Sequence, residues 1–222
     1  RLREGQLDAG IEHARAAEGL CPADAQAQGL ARWNRNGLGY MLCGVGRFDE
    51  GLDILEAELQ ASQGTTGALR ALQVQWLADV MIMLGQLTRA HQLIDGDDSI
   101  PPGMRQHKRL LVRAKLARAS GQDDVPLLEQ AREAAQRPST QFDRLSADIE
   151  LAARYEGPPE AFVDLATQSR QRGYWPLVMR AQQWRLRTLL REASWTDAVE
   201  ATPELEASAR RCRYPTFHFP EL

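Results

Sequence analysis

A short turn segment recurs along this chain, and it constrains the fold more than any other feature. Gly5-Gln6-Leu7-Asp8-Ala9-Gly10, Gly46-Arg47-Phe48-Asp49-Glu50-Gly51 and Gly85-Gln86-Leu87-Thr88-Arg89-Ala90 share one order: Gly, polar, large apolar, polar, and a small residue five after the Gly. Degenerate versions begin at Gly121, Gly157 and Ala193, so the six turns lie 41, 39, 36, 36 and 36 residues apart. A regular period of this size marks a repeat architecture. A Gly after a helix accepts the left-handed conformation that stops it. The apolar residue two later pins the returning helix, and the small residue lets two helices approach closely.

Between the turns the apolar pattern is helical. Leu69, Leu72, Trp76, Val80, Met83 and Leu84 recur at three- and four-residue steps, as do Leu110, Leu111, Ala114 and Ala117. So do Trp184, Leu186, Leu189 and Leu190, and no useful stretch alternates with a period of two. Breakers sit between units at Cys21-Pro22, Ser62–Gly67, Asp95–Gly103, Arg137-Pro138-Ser139 and Gly173–Pro176. The sequence therefore predicts an all-α chain, over about 60% helical, built as an α-α superhelix of antiparallel hairpins. The hairpins fall at about 23–62, 68–96, 104–136, 140–172 and 175–211, in one array across all 222 residues. The chain begins at Arg1 without a signal peptide and ends abruptly at Leu222, so it reads as a fragment of a longer protein.

These residues resemble the tetratricopeptide repeat. That family carries a small residue in the middle of the first helix, a Gly at the turn, a large apolar residue two later and a small residue three beyond. Gly39, Gly46, Phe48 and Gly51 match it, with Leu38 and Leu55 as packing positions; Ala78, Gly85, Leu87 and Ala90 match it again, with Leu77 and Ile94. The last three units depart from it, through Pro126 and through Gly157-Pro158-Pro159. The 36–41-residue period is longer than the family's usual one. It is similar to that of the repeat or sensor regions of large bacterial transcription regulators, which join an ATPase domain to a DNA-binding domain. The resemblance implies signalling through protein–protein contacts, with a concave groove lined by the first helix of each pair.

No catalytic constellation is legible. His13, His91, His107 and His218 form no HExxH and pair with no cysteine at metal spacing. There is no GxSxG elbow, no phosphate-binding loop and no dinucleotide fingerprint. Neither a cofactor nor a metal site is expected, and the chain reads as a non-enzyme. Cys21, Cys43 and Cys212 are odd in number and widely spaced, which suits buried thiols in a reducing compartment, the cytoplasm. The longest apolar stretches, such as Val80–Leu84, are too short to span a bilayer.

Charge supplies the best functional clue. The net charge of −3 conceals a first hundred residues at −6 and a remainder at +3. Met104–Ala119 carries Arg105, Lys108, Arg109, Arg113, Lys115 and Arg118 with no acid, and Arg180, Arg185, Arg187 and Arg191 form a second basic run. Carried across the units, the groove positions are Trp33, Asn36, Tyr40, Gln75, Asp79, Lys108, Lys115, Arg118, Arg144, Arg154, Arg180, Gln183 and Arg187. Such a surface is either a site for an acidic peptide, a carboxylate or a phosphate, or a set of solvated helix faces paired with neighbouring acids. On the first reading, reversing Lys115 and Arg118 to Glu weakens an acidic partner and leaves the fold intact. Trp76 and Trp184 read as core, Trp33 and Trp175 as exposed. Negative net charge and the missing recognition motif argue against nucleic acid. The expected function is a protein- or peptide-binding module. The alternative is the ligand-sensing or oligomerisation region of a bacterial ATP-dependent transcription regulator, taking a small-molecule inducer.

Overall fold

The computed structural model describes residues 7–18, 25–63, 67–96 and 106–212. Of these residues 85% are helical and none is in a strand. The turn at Gly5, Cys21, Arg105, His218 and the segment 213–222 lie outside the described residues. No helix among the described residues is long and apolar enough to cross a membrane.

The described residues form two compact units, Leu7–Asp124 and residues 125–212. The first holds α1 (Leu7–Glu18), α2 (Ala25–Gly44), α3 (Phe48–Ala61), α4 (Ala68–Met83), α5 (Leu87–Asp95) and α6 (Gln106–Ala119). Here α1 packs on α2, α2 on α3, α3 on α4, and α4 on α5 and α6. The second holds α7 (Val125–Ala134), a 3-10 turn (Pro138–Thr140), α8 (Gln141–Arg154), α9 (Pro159–Gln171), α10 (Trp175–Arg191) and α11 (Trp195–Cys212). Each of these helices packs on the next. Two helices thus occupy each of the five predicted ranges, and the division between units falls within the 104–136 pair.

One turn geometry closes most helices. The chain turns left-handed at Gly46 (φ 86°), Gly85 (71°), Gly121 (71°), Glu156 (51°), Gly173 (70°) and Ala193 (57°). In each case the next residue donates its N–H to the carbonyl five positions back: Arg47 to Leu42 (2.9 Å), Gln86 to Met81 (2.9 Å), Gln122 to Ala117 (2.8 Å), Gly157 to Ala152 (2.8 Å), Tyr174 to Ser169 (2.9 Å) and Ser194 to Leu189 (2.9 Å). This is the Schellman pattern, which satisfies carbonyls orphaned at a helix end. The landmark at Gly157 is corrected by one residue. Gly157 precedes Pro158, which disfavours helical backbone at that position, and the left-handed turn moves back to Glu156. Gly46→Val should destabilise the chain by at least about 1 kcal/mol, because a β-branched side chain is disfavoured at this φ. A lower urea midpoint checks this, and an unchanged one would remove the left-handed turn there.

The apolar residues of the helical pattern build the core. In the first unit Cys43, Leu55, Leu77, Val80, Met81, Ala90 and Leu116 cluster, with Phe48, Leu52 and Trp76 packed against them. In the second, Leu145, Ile149, Ala166, Leu177, Val178 and Ala181 do so, with Trp175 and Trp184 alongside. Trp175 is therefore half-buried, not exposed as its place near a helix start implies. The Arg211 guanidinium lies 4.4 Å from its ring centre.

Cys43 and Cys212 are buried free thiols. Burial pushes the Cys43 thiol up to about 11 and the Cys212 thiol up to about 12. The thiolate is the nucleophile, so both should resist alkylation at pH 8 while the chain is folded. Both should react once urea unfolds it. Peptide mass mapping of the two samples decides, and rapid native labelling of either residue would contradict its burial.

Candidate binding surface

In the first unit, three of the predicted groove residues meet across three helices. Tyr40 on α2 donates its hydroxyl to the Asp79 carboxylate on α4 (2.7 Å), and Lys115 on α6 donates to the other oxygen of Asp79 (2.6 Å). Each of the three lies six residues before a left-handed turn residue, at Gly46, Gly85 and Gly121. Equivalent helical positions therefore come side by side. Asp79 is buried and half of the Lys115 side chain is exposed. The carboxylate thus holds both donors while the ammonium still faces solvent. Trp76, read as core from its helical spacing, also stacks on Tyr40, with ring centres 5.0 Å apart and planes 15° from parallel. This stack stiffens the phenol that reaches Asp79.

The remaining first-unit residues divide. Trp33 is 45% exposed, as expected from its place on α2. Asn36 and Gln75 are buried and present nothing at a surface. Asn36 turns back to donate to the Arg32 carbonyl one helical turn earlier (2.8 Å). Lys108 is half-buried. Arg118 grips Asp124, with its Nη2 2.7 Å from a carboxylate that is 2% exposed. Arg118 is therefore an anchor of the turn after α6, and the expectation that it can be reversed without harm to the fold is corrected.

In the second unit the basic residues are spread over several partners. Arg180 donates to Glu150 (2.8 Å), and its guanidinium lies 5.3 Å from the Trp184 ring centre. Arg187 lies 4.9 Å from the same ring. Arg144, exposed, is 3.9 Å from Asp148 on its own helix. Burial raises the pKa of Asp148, and the charges of Arg144 and Arg132 oppose that shift. Arg154 is exposed and Gln183 half-buried.

Three residues of the basic run of α6 are likewise matched by an acid or a carbonyl that precedes them in sequence. Arg109 donates to the Ile94 carbonyl (2.6 Å), Arg113 pairs with Asp95, and Lys115 with Asp79. Sequence reasoning missed Asp124 and Trp76 as fixed points of this surface. The signal for Asp124 was faint, since it is simply an acid six residues after Arg118. Among the described residues no three His, Cys, Asp or Glu side chains gather as a metal site would require. Compared with protein-family models, curated proteins and solved structures, the chain matches none.

Proposed function

We propose that this chain is a non-catalytic helical-repeat module, a tetratricopeptide-like solenoid, that binds a protein or extended peptide along the α2–α4–α6 surface. The observation that carries this reading is the Tyr40–Asp79–Lys115 chain of hydrogen bonds, which joins equivalent positions of three helices. Residues held in this way keep their places before a partner arrives, so less entropy is lost on binding. Lys115 offers its remaining N–H donors to carbonyls or acidic side chains of the partner. Trp33 adds an exposed aromatic face, a residue type enriched at binding hot spots. Repeated helix pairs with such a surface suit extended partners.

A random peptide display against the 222-residue chain tests the reading. Acidic peptides should be enriched. Lys115→Gln, which keeps an N–H donor for Asp79, and Trp33→Ala should each weaken the selected peptides by about tenfold at low salt, where the Debye length is longest. No enrichment, or capture by both variants undiminished from that of the parent chain, overturns it.

A further inference from the structure

The outer face of α11 carries an apolar pair that nothing among the described residues covers. Trp195 is 66% exposed and Val199, one helical turn later, is 72% exposed. Side chains four apart on a helix lie on one face, so the two form a continuous patch. Their counterparts on α3 behave differently. Phe48 and Leu52 stand two and six residues after the left-handed Gly46, as Trp195 and Val199 stand after the left-handed Ala193. Phe48 and Leu52 pack against the cluster to which α4 contributes Leu77, Val80 and Met81. In the first hairpin this position is thus closed by apolar side chains, some of them from a further helix.

The surroundings of the α11 pair are acidic. Glu192 lies in the turn before it, three residues ahead of Trp195, and Glu200 follows Val199 on the helix, both exposed. Arg191, the last residue of α10, is held 3.5 Å from Glu156. Pro203 lies inside α11 and has no N–H to give to the carbonyl of Val199. Apolar centre and acidic border together define one kind of partner.

We infer that Trp195 and Val199 dock a basic amphipathic helix of a partner protein, its apolar side chains against the pair and its Lys or Arg residues toward Glu192 and Glu200. This surface lies on α11 and shares no residue with the α2–α4–α6 surface, so either can fail without the other.

The test uses the whole 222-residue chain and two fluorescent helical peptides of about 18 residues that share one Leu stripe. One is flanked by Lys and the other by Glu. Anisotropy should show saturable binding of the Lys-flanked peptide, at least about tenfold tighter than the Glu-flanked one. Trp195→Ala with Val199→Ala should weaken it by at least about tenfold, with an unchanged circular dichroism spectrum and melting curve. Glu192→Lys with Glu200→Lys, which leaves the apolar pair in place, should reverse the preference between the peptides. Equal binding of the two peptides, or undiminished binding to the Trp195/Val199 variant, overturns the inference. So does self-association of the free chain in sedimentation that the same variant abolishes, because the face would then belong to a second copy.

Discussion

Gly51→Val should unfold the first unit or cost it at least about 3 kcal/mol, near or above the upper end of the usual overpacking penalty. A Cβ built on Gly51 would lie 2.5 Å from Cys43 Sγ, 2.6 Å from the Gly39 carbonyl oxygen and 2.9 Å from the Cys43 nitrogen. The crossing is reciprocal, since a Cβ on Gly39 would lie 2.9 Å from the Gly51 carbonyl oxygen. Two of the three obstacles at Gly51 are backbone atoms of α2, which cannot rotate aside. The helices must move apart, and Leu42 and Leu55, both buried, lose contacts that depend on close approach. Against a typical total stability of about 5–15 kcal/mol, such a loss is large. Gly37→Ala, on the same helix α2, provides the contrast. Nothing lies within 4 Å of a Cβ there, and replacing a mid-helix Gly should stabilise by about 0.5–1 kcal/mol. Urea unfolding followed by circular dichroism should move the two midpoints in opposite directions. A Gly51→Val midpoint equal to that of the parent chain would mean that α2 and α3 do not cross at this point.

Arg118→Ala is expected to cost about 3 kcal/mol, because it strips a buried carboxylate of its guanidinium. Only 17% of the Arg118 side chain and 3% of that of Asp124 are exposed, and both the Nε and Nη2 of the arginine bond the same oxygen (2.9 and 2.7 Å). An exposed pair behaves differently. Arg89 and Glu56, 2.8 Å apart with side chains nearly half exposed, should yield less than about 1 kcal/mol when Arg89 is truncated. The double variant Arg118→Ala with Asp124→Ala should recover much of the loss, since it removes the stranded charge together with its partner. Urea midpoints of the single and double variants complete the cycle. If Arg118→Ala behaves like Arg89→Ala, then Asp124 is not dependent on its partner. The cycle also separates folding from binding at this surface: Lys115, half exposed, can be changed to Gln, which still donates an N–H to Asp79, to probe a partner, and Arg118 cannot be truncated.

The turns were the most legible part of the fold. Gly46, Gly85 and Gly121 announce themselves because a left-handed residue after a helix favours a residue without a Cβ. The turn expected at Gly157 lies one position earlier because two signals compete there. Gly157 attracts the assignment, while Pro158 restricts the residue before it and shifts the turn to Glu156. Close approach at Gly51 and Ala90 was also readable, as small residues five after the turn Gly; both are buried. The surface was harder. Asn36 and Gln75 stand one helical turn before Tyr40 and Asp79, on the same helix faces, yet both are buried, because burial at a position depends on what packs across from it. Trp195 passed unnoticed because a tryptophan opening a helix reads the same whether it is covered, as Trp175 is in part, or left bare.

The sequence by itself determined that the chain is helical and where most of its turns lie, because these depend on local backbone preferences and on the spacing of apolar residues. It also determined the uneven charge. Only the tertiary structure decided what that charge does. Lys115 finds Asp79 across 36 residues and Arg180 finds Glu150 across 30. Such pairs exist because the packing of helices brings distant positions within 3 Å, and no local preference encodes that. Packing likewise made the half-buried Arg118 an anchor for buried Asp124, left Lys115 facing solvent and uncovered Trp195. A side chain's exposure depends on which neighbours lie across from it, and those neighbours are set by the assembled helices.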